Sequence, residues 1–298
     1  MRVVVTGATG LVGRAVVRAL EARGDEVVRL SRMVGPKTIA WDPRREGAWT
    51  DEVARADGVV HLAGAGIGDE RWTEARRREI VESRTVTTEL VARAFARGAT
   101  RERRALVSAS AVGYYGFDDE GRELDERSPP GDDFLARTCA LWEAAAEPAR
   151  AAGLRVAHPR LGVVLAADGG ALAKMLPPFK AMVGGPVGTG RQILSWVHLG
   201  DAARALLFAL DDARVSGGYD VTAPNPVTQA ELARAIGRAL GRPAIVPTPA
   251  FAIELAFGKD RAALVLRGQR ALPRRLLELG FRFDFPTIDA ALADLLAQ

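Results

Sequence analysis

The sequence predicts a doubly wound, parallel α/β sheet with a smaller C-terminal lobe. Short β-branched runs alternate with amphipathic stretches, which is typical of a parallel sheet covered by helices on both faces. A glycine-rich turn joins the first strand to the first helix. The length of 298 residues and the hydrophobic content of 48% are sufficient for a large core, in one two-lobed unit or in two domains.

The N-terminal segment joins a buried strand to a helix through three glycines. Residues 3–5 have the length and β-branching of a central parallel strand. Gly7, Gly10 and Gly13 follow at the spacing G-x-x-G-x-x-G. We expect Gly7 to permit the tight turn, Gly10 to let the backbone approach a ligand, and Gly13 to let the helix pack closely on the strand. Because the helix N-terminus offers free N–H groups to a pyrophosphate, the turn predicts an NAD(P)-binding Rossmann fold.

The end of the second predicted strand indicates which dinucleotide binds. Residues 26–30 form this strand, and Ser31 and Arg32 follow it. An acidic residue there would bind the adenosine ribose of NAD, whereas a hydroxyl and a guanidinium suit a 2′-phosphate. The alternative is that Arg32 is one more surface residue of an Arg-rich chain. The charge of this pair favours NADP(H).

The remaining elements continue the alternation as far as residue 165. Predicted strands occupy 38–41, 57–64, 105–110 and 154–159, and predicted helices occupy about 73–97 and 133–152. Beyond them, Gly and Pro interrupt the pattern; 192–197 and 217–222 are predicted strands and 201–210 a predicted helix. A Pro-rich stretch at 243–249 predicts a boundary. It separates a Rossmann domain of residues 1–245, in which parts of 165–245 contribute to a substrate lobe, from a small helical domain of residues 249–298.

Composition argues against several classes of protein. The single cysteine, Cys139, has no partner for an internal disulfide and agrees with a reducing compartment. Three histidines and one cysteine argue against a metal site. No apolar stretch has the length of a membrane span, and the N-terminus enters a strand directly, so we expect a cytoplasmic protein. The net charge of +4 is spread over arginines interspersed with acidic residues, so nucleic acid is not an expected partner.

Several separate stretches resemble one family of proteins. Besides the T-G-x-x-G-x-x-G turn they are LSR at 30–32, WD at 41–42, HLAG at 61–64, SR at 83–84, AVGYYG at 111–116, PRLGVVL at 159–165, SWVH at 195–198 and GFRF at 280–283. The chain is similar to an atypical branch of the extended short-chain dehydrogenase/reductases. These are epimerase family proteins of the YfcH-like or SDR39U1-like type, with a DUF1731 C-terminal domain. The resemblance covers nearly the whole chain and implies NADP(H) in the Rossmann groove.

The resemblance also implies which residues contact the cofactor. It places Ser31 and Arg32 near the 2′-phosphate, and Leu62 and Ala63 along the adenosine side. The other implied contacts are Gly7, Thr9, Gly10, Leu11, Val12, Gly64, Glu79, Arg84, Cys139 and Pro159. For Arg84 two interpretations stay open, because a guanidinium could neutralise a phosphate or pair with a neighbouring glutamate on the same helix.

The usual catalytic residues of the wider superfamily are incomplete in this chain. Its enzymes use a Ser or Thr that orients substrate, a Tyr that acts as acid or base, and a Lys four residues after the Tyr. Ser110, at the end of the fifth predicted strand, matches the Ser. The Tyr and Lys positions fall on Leu135 and Cys139, which cannot replace them. Tyr114 is a candidate for the missing acid; the alternative is that it packs on a loop.

The sequence therefore predicts an NADP(H)-binding epimerase- or oxidoreductase-like protein that lacks the usual Tyr-x-x-x-Lys pair and acts on an unknown small molecule. The alternative is a non-catalytic NADPH-binding sensor or scaffold. The missing Tyr and Lys favour the alternative, whereas Ser110 and the glycine-rich loop at 184–190 favour an enzyme. The sequence leaves open whether the protein forms a homodimer.

Overall fold

The computed structural model describes residues 1–32, 35, 37–98 and 104–297. Its strands are β1 (Arg2–Thr6), β2 (Glu26–Ser31), β3 (Thr38–Ala40), β4 (Gly58–His61), β5 (Ala105–Ser108), β6 (Ser110–Ala111), β7 (Glu123–Leu124), β8 (Arg155–Leu161), β9 (Val163–Ala166), β10 (Ile193–Leu194), β11 (Trp196–His198), β12 (Gly217–Val221), β13 (Val227–Thr228) and β14 (Arg270–Ala271). Its helices are α1 (Leu11–Ala22), α2 (Trp49–Arg55), α3 (Glu74–Ala96), α4 (Phe134–Ala144), α5 (Glu147–Ala151), α6 (Gly170–Lys180), α7 (Leu199–Asp211), α8 (Gln229–Leu240), α9 (Ala250–Phe257), α10 (Lys259–Leu266), α11 (Arg274–Glu278) and α12 (Ile288–Leu296). Measured over the described residues, none of these helices has both the length and the apolar surface that crossing a bilayer demands.

A parallel sheet forms the centre of the fold. Its strands lie in the order β12–β8–β5–β4–β1–β2–β3, with β6 pairing at the end of β8. The chain builds β1 to β3 outward in one direction and then returns to build β4, β5, β8 and β12 in the other. The direction reverses between β1 and β4, and open parallel sheets bind ligands at the carboxyl ends of the strands at such a point. The doubly wound sheet predicted from the sequence is confirmed.

The first strand is apolar throughout because both of its faces are buried. Val3 and Val5 pack in the core beneath α1 and α7, whereas Val4 packs in the opposite core with Trp49 and the residues of α2 and α3. Successive strand residues point to opposite faces, so a strand between two helical layers needs apolar residues at every position. A third core lies beyond the sheet, around Trp196 and helices α6, α8 and α12.

Some elements differ from the sequence-based prediction. The helix predicted over 133–152 is two helices, α4 and α5. Pro148 stands in the first turn of α5, and without an N–H it cannot continue the preceding helix. The strand predicted over 105–110 is divided into β5 and β6. Helices α2, α6 and α8 were not predicted.

The C-terminal segment packs into the cores of the preceding chain. Phe281 belongs to the core beneath α1 and α7, and α12 packs on α8. The buried carboxylate of Asp201 accepts the backbone N–H groups of Asp284 at 2.9 Å and of Phe285 at 3.0 Å. The division of the chain at 245–249 therefore stays a prediction about its organisation, since packing runs across it.

Shortening Phe281 to alanine should destabilise the whole chain. The ring is 6% exposed, and its loss leaves a cavity in the core beneath α1. We expect Phe281→Ala to lower the free energy of unfolding by about 3–5 kcal/mol in one cooperative transition, measured by urea denaturation. The matched control is Phe251→Ala, because that ring is 71% exposed and its loss should change stability by less than about 0.5 kcal/mol. Separate transitions for the two parts of the chain would contradict this shared core.

Candidate cofactor and substrate site

The glycine turn after β1 combines a tight bend with one open position. Gly7 has a φ of +66°, a conformation that side chains disfavour. A Cβ at Gly13 would lie 2.1 Å from the Gly7 carbonyl oxygen, so α1 packs directly on the turn. A Cβ at Gly10 would meet only that same oxygen among the described residues, at 3.2 Å. The structural roles predicted for Gly7 and Gly13 are confirmed, and Gly10 leaves the space that a ligand needs.

The N-terminus of α1 has the features of an anion-binding site. Gly10 caps the helix without a side-chain hydrogen bond, and the first turn holds no acidic residue. Leu11 and Val12 form that first turn, where backbone N–H groups have no acceptor inside the helix. The carbonyl of the exposed Thr9 accepts a hydrogen bond from Arg14 at 3.0 Å. These N–H groups can bind a pyrophosphate at the carboxyl edge of the sheet.

A buried threonine–histidine pair holds the chain on the opposite side of the turn. The Thr6 hydroxyl accepts the backbone N–H groups of Leu62 at 3.1 Å and Ala63 at 3.2 Å, and it lies 2.7 Å from His61 Nδ1. Burial lowers the pKa of His61 to about 3, so the ring is neutral. Because the Thr6 hydroxyl already accepts two N–H groups, its own proton is directed at His61 Nδ1. Sequence reasoning missed the roles of Thr6 and His61, although both belong to motifs that it singled out.

Ser31 and Arg32 lie on the same edge of the sheet. Ser31 is the last residue of β2, which pairs with β1, and Thr6 is level with Leu30 in that pairing. Arg32 follows with an exposed side chain. The two residues therefore stand beside the glycine turn, in the region where the adenosine half of a dinucleotide lies in Rossmann folds.

Arg84 is the cation that α3 contributes to this edge. A Cβ at Gly64 would lie 3.5 Å from the Arg84 side chain, and the Arg84 guanidinium lies 5.0 Å from the centre of the Trp142 ring. Burial lowers the pKa of Arg84, and no carboxylate among the described residues pairs with it. Glu79 is exposed and instead forms an ion pair with Arg76 at 2.7 Å. A buried guanidinium without a carboxylate is a group that an anionic ligand would stabilise.

A cavity of about 250 Å³ adjoins Arg84. Its walls come from α3, β6, α4, the turn between β8 and β9, β10 and the segment that runs from α10 to β14. The lining is mainly apolar and includes Ile80, Ala111, Leu135 and Leu161. The cavity thus lies beyond the carboxyl ends of the strands and is closed on one side by the C-terminal segment.

Leu135 and Cys139 both face this cavity. A Cβ at Gly113 would lie 3.6 Å from Leu135 Cβ and 3.7 Å from Cys139 Sγ. Burial raises the pKa of the Cys139 thiol to about 12, so the thiol is neutral. The two positions where the superfamily has Tyr and Lys therefore line the cavity and hold no group that transfers a proton at neutral pH.

Ser110 is not among the residues that line the cavity, and its role in orienting a substrate stays a prediction. It is 1% exposed, and its hydroxyl donates to Glu143 at 2.7 Å. The same carboxylate accepts two N–H groups of Arg160 at 2.9 and 3.0 Å. Because adjacent strand residues face opposite sides, the neighbouring Ala111 lines the cavity instead.

Tyr114 is likewise not among the residues that line the cavity, and its role as an acid stays a prediction. Its ring covers the Arg160 guanidinium, whose carbon lies 3.4 Å from the ring centre, and meets Tyr115 edge-on. The Tyr115 hydroxyl accepts from Arg160 at 3.0 Å and donates to Asp220 at 2.9 Å. Burial raises the pKa of Asp220 well above its usual range. These groups form a buried polar network behind the cavity wall.

Pro159 lies inside the sheet rather than on the cavity. It is a buried residue of β8, opposite Tyr219 of β12. Leu161 and Gly162 follow, and these residues line the cavity. The motif at 159–165 therefore reaches the cavity through its middle residues, Leu161, Gly162 and Val163, and not through its proline.

The C-terminal segment closes the cavity through close backbone contacts that sequence reasoning missed. A Cβ at Gly268 would lie 2.0 Å from the Ile193 carbonyl oxygen. The Ser195 hydroxyl donates to the carbonyl of Gln269 at 2.9 Å and accepts the N–H of Ala271 at 2.8 Å. The one sequence signal of this contact was the motif at 195–198, which contains Ser195. A serine hydroxyl can form hydrogen bonds with nearby backbone groups.

Comparison with known proteins identifies the family. The profile of the NAD dependent epimerase/dehydratase family matches residues 3–221, and that of the DUF1731 domain of unknown function matches residues 248–295. The chain belongs to the NAD-dependent epimerase/dehydratase family. Within it, the chain is 42% identical to the epimerase family protein SDR39U1 of Bos taurus, over 100% of both chains. It is 39% identical to the epimerase family protein ML0860 of Mycobacterium leprae, over 98% of this chain and 94% of the relative.

Two solved structures share the architecture. The crystal structure of human SDR39U1 (isoform 2) with NADPH has a TM-score of 0.87 and 38% identity, over 100% of both chains. The nucleoside-diphosphate sugar epimerase from Corynebacterium glutamicum has a TM-score of 0.82 and 34% identity, over 99% of this chain and 58% of that chain. The resemblance to SDR39U1-like proteins with a DUF1731 domain is therefore confirmed.

The neutral state of His61 predicts that stability falls on acidification. The pKa of His61 is about 3 in the folded chain and 6.5 for an ordinary histidine. Below about pH 6.5 the unfolded chain takes up a proton that the folded chain does not. The free energy of unfolding is therefore highest above that pH and falls toward pH 3 by up to about 1.4 kcal/mol per pH unit for this group. The pKa of His158 is lowered to about 4 in the folded chain, so on acidification the unfolded chain also takes up a second proton at this residue.

Urea denaturation between about pH 7.5 and about pH 4.5 measures this dependence. We expect His61→Asn, whose amide oxygen still accepts from Thr6, to reduce the slope by about one proton. His158→Asn is the matched comparison and should remove the other proton. Equal slopes in wild type and His61→Asn would show that the ring is protonated in the fold.

Proposed function

We propose that this protein binds NADP(H) at the carboxyl edge of its sheet and is an oxidoreductase- or epimerase-like protein acting on a small molecule. One observation carries the proposal: the turn holds Gly7 at positive φ, leaves Gly10 open and aims the uncapped N-terminus of α1 at the same space. A dinucleotide pyrophosphate fits that arrangement. The human relative SDR39U1 has been crystallised with NADPH.

The preference for NADP(H) over NAD(H) rests on Ser31 and Arg32. Both stand where the adenosine ribose lies in this fold, and neither is acidic. The Arg32 guanidinium would give the 2′-phosphate charge-assisted, forked hydrogen bonds. NADH would leave that guanidinium without an anionic partner.

Arg84 takes over the charge that the superfamily lysine provides. It extends from α3 to the wall that holds Cys139 on α4, and the neutral thiol cannot provide that charge. Arg84 donates to the Ile80 carbonyl at 3.0 Å, and the phosphate oxygens of the cofactor would give it the anionic partner that it lacks among the described residues. Bound NADPH supplies a hydride at nicotinamide C4. Arg84 holds the cofactor and transfers no proton, because a guanidinium does not deprotonate.

A second candidate function is that of a non-catalytic NADPH sensor or scaffold. The observation that favours it is the absence of an acid or base at Leu135 and Cys139, together with the capture of the Ser110 hydroxyl by Glu143. A general acid contributes about 10²–10⁴ in rate, so turnover without one would be slow. Tight NADPH binding without turnover on any carbonyl compound would favour this second function.

The cellular location, the size of the substrate and the oligomeric state of the protein are also proposals. A single buried cysteine agrees with the reducing cytoplasm. The substrate would be a small molecule, since the cavity is small and enclosed on the C-terminal side. Sedimentation analysis at micromolar concentration would test whether the protein is a homodimer.

Replacing Arg32 tests the cofactor assignment. We expect wild type to bind NADPH more tightly than NADH, and Arg32→Ala to remove most of that preference, about 1.5–3 kcal/mol for a charge-assisted contact. Fluorescence titration of both cofactors measures the two dissociation constants. Arg18→Ala is the control, because it removes the same charge from an exposed position on α1. Equal affinity of wild type for the two cofactors would refute the assignment.

Replacing Arg84 separates a ligand-binding role from a structural one. We expect Arg84→Met to weaken NADPH binding about tenfold or more, without lowering the stability of the cofactor-free protein, because it removes a buried charge that has no carboxylate partner. Arg84→Lys should restore part of the affinity. Calorimetric titration and thermal unfolding provide the two readouts. A variant that loses stability and keeps its affinity for NADPH would show that Arg84 only supports the fold.

A further inference from the structure

We propose that the cavity takes a compact, predominantly apolar carbonyl or hydroxyl compound and not a nucleoside diphosphate sugar. This inference rests on the proposed function, because it names the substrate class of the same site. It departs from the name of the Corynebacterium glutamicum relative, which is described as a nucleoside-diphosphate sugar epimerase.

The first argument is size. The cavity measures about 250 Å³, whereas pockets for drug-sized ligands measure roughly 300–1,000 Å³. A nucleoside diphosphate sugar is larger than most drugs. The nicotinamide end of the cofactor would occupy part of the same space, since Leu135 and Cys139 line it. The remaining volume suits a compact molecule.

The second argument is the chemistry of the wall. Apolar side chains from four different parts of the chain face the interior, among them Ile80, Leu135, Trp142, Leu194 and Leu264. The wall holds two cations, but Arg267 is paired with Asp119 and Arg84 is assigned to the cofactor. A diphosphate carries two negative charges, and moving them into this space without a further cation is costly. An apolar molecule gains free energy there in proportion to the surface that it buries.

The third argument is that the polar groups of the wall are already engaged. Arg267 forms a double hydrogen bond with Asp119, at 3.0 and 2.7 Å. The Thr138 hydroxyl donates to the Phe134 carbonyl at 2.7 Å. The Asp133 carboxylate caps α4 and also accepts the N–H of Phe117. These groups hold the wall together, and the hydroxyl groups of a sugar would have to share them with their present partners.

Ser195 is engaged in the same way, through Gln269 and Ala271 of the C-terminal segment. Gln269 is among the residues that line the cavity, and its side-chain amide makes no hydrogen bond to a described residue. It is therefore the group that a single ligand oxygen would meet. One amide and an apolar wall match a molecule with one carbonyl or hydroxyl and an aliphatic or aromatic body.

The test measures binding by the full-length protein, with and without NADPH. The probes are a panel of aliphatic and aromatic aldehydes, ketones and alcohols, set against UDP-glucose and UDP. Ligand-observed NMR and calorimetry report saturable binding. We expect compact apolar probes to bind in the micromolar to millimolar range, and neither UDP-glucose nor UDP to bind or to displace them.

A matched pair of variants locates the binding. Leu264 lines the cavity from α10, so Leu264→Trp should fill it and weaken the apolar probes about tenfold or more. Leu255, on the neighbouring α9, is 79% exposed, so Leu255→Trp should bind them as wild type does. Because the nicotinamide end of NADPH would share the cavity, NADPH affinity is measured for both variants, and it should be unchanged in Leu255→Trp, whose side chain is exposed.

The outcomes separate this inference from the proposed function. Saturable binding of UDP-glucose that Leu264→Trp abolishes would overturn the substrate class, as would an absence of binding by every apolar probe. Equal weakening of the apolar probes by Leu255→Trp would place them elsewhere on the surface and overturn the site. Failure of NADPH to bind, with the apolar probes still retained, would refute the proposed function and leave the ligand class of the cavity standing.

Discussion

The close packing of α1 on the end of β1 is the constraint on which the rest of this site depends. No side chain fits between Gly13 and the Gly7 carbonyl, where a Cβ would lie at 2.1 Å. This contact aims the first turn of α1 at the point where the winding of the sheet reverses, and the positive φ of Gly7 lets the chain turn there. The Thr6 hydroxyl then holds the amides after β4 beside the turn, with His61 accepting its proton. The anion site and the cavity entrance are therefore positioned by backbone contacts rather than by mobile side chains.

Behind the cavity, a buried network of charged groups fixes the wall. Arg160 of β8 bonds to Glu143 of α4 and to Tyr115, which in turn donates to Asp220 of β12. Burying such groups is expensive, and the net gain in stability is small unless every partner is satisfied. Their geometry nevertheless joins three neighbouring elements in one arrangement, and Ser110 becomes part of it by donating to Glu143. In this network the one proton of the Ser110 hydroxyl is donated to a carboxylate.

The sequence predicted the local features well, because the glycine turn, the β-branched strands and the long α3 depend on neighbouring residues. It missed α8, although Thr228 and Glu231 form a capping box that begins the helix. The sequence analysis placed Ser110 in the site from its motif. A motif gives the position of a residue along a strand, but it does not show which face of the sheet the side chain occupies. One residue of alternation decides whether Ser110 or Ala111 lines the cavity, and the partner that fixes it, Glu143, lies 33 residues away. The closure of the cavity by Gly268 depends on packing between distant segments, which periodicity does not report.

The replacements at the cavity wall divide two tasks that the superfamily lysine performs together. One task is to place a positive charge beside the cofactor, and the other is to make a neighbouring tyrosine acidic enough to exchange a proton. Arg84 can perform the first task, because a guanidinium needs only to be close and charged. It cannot perform the second, since Leu135 offers no hydroxyl to activate. Cofactor binding can therefore persist where proton transfer by the usual tyrosine is lost. An apolar substrate suits that arrangement better than a sugar, because a reaction at a sugar hydroxyl needs a group that takes its proton, and the carboxylate on this wall, Asp133, is already held by the N–H groups of Phe117 and Ala136.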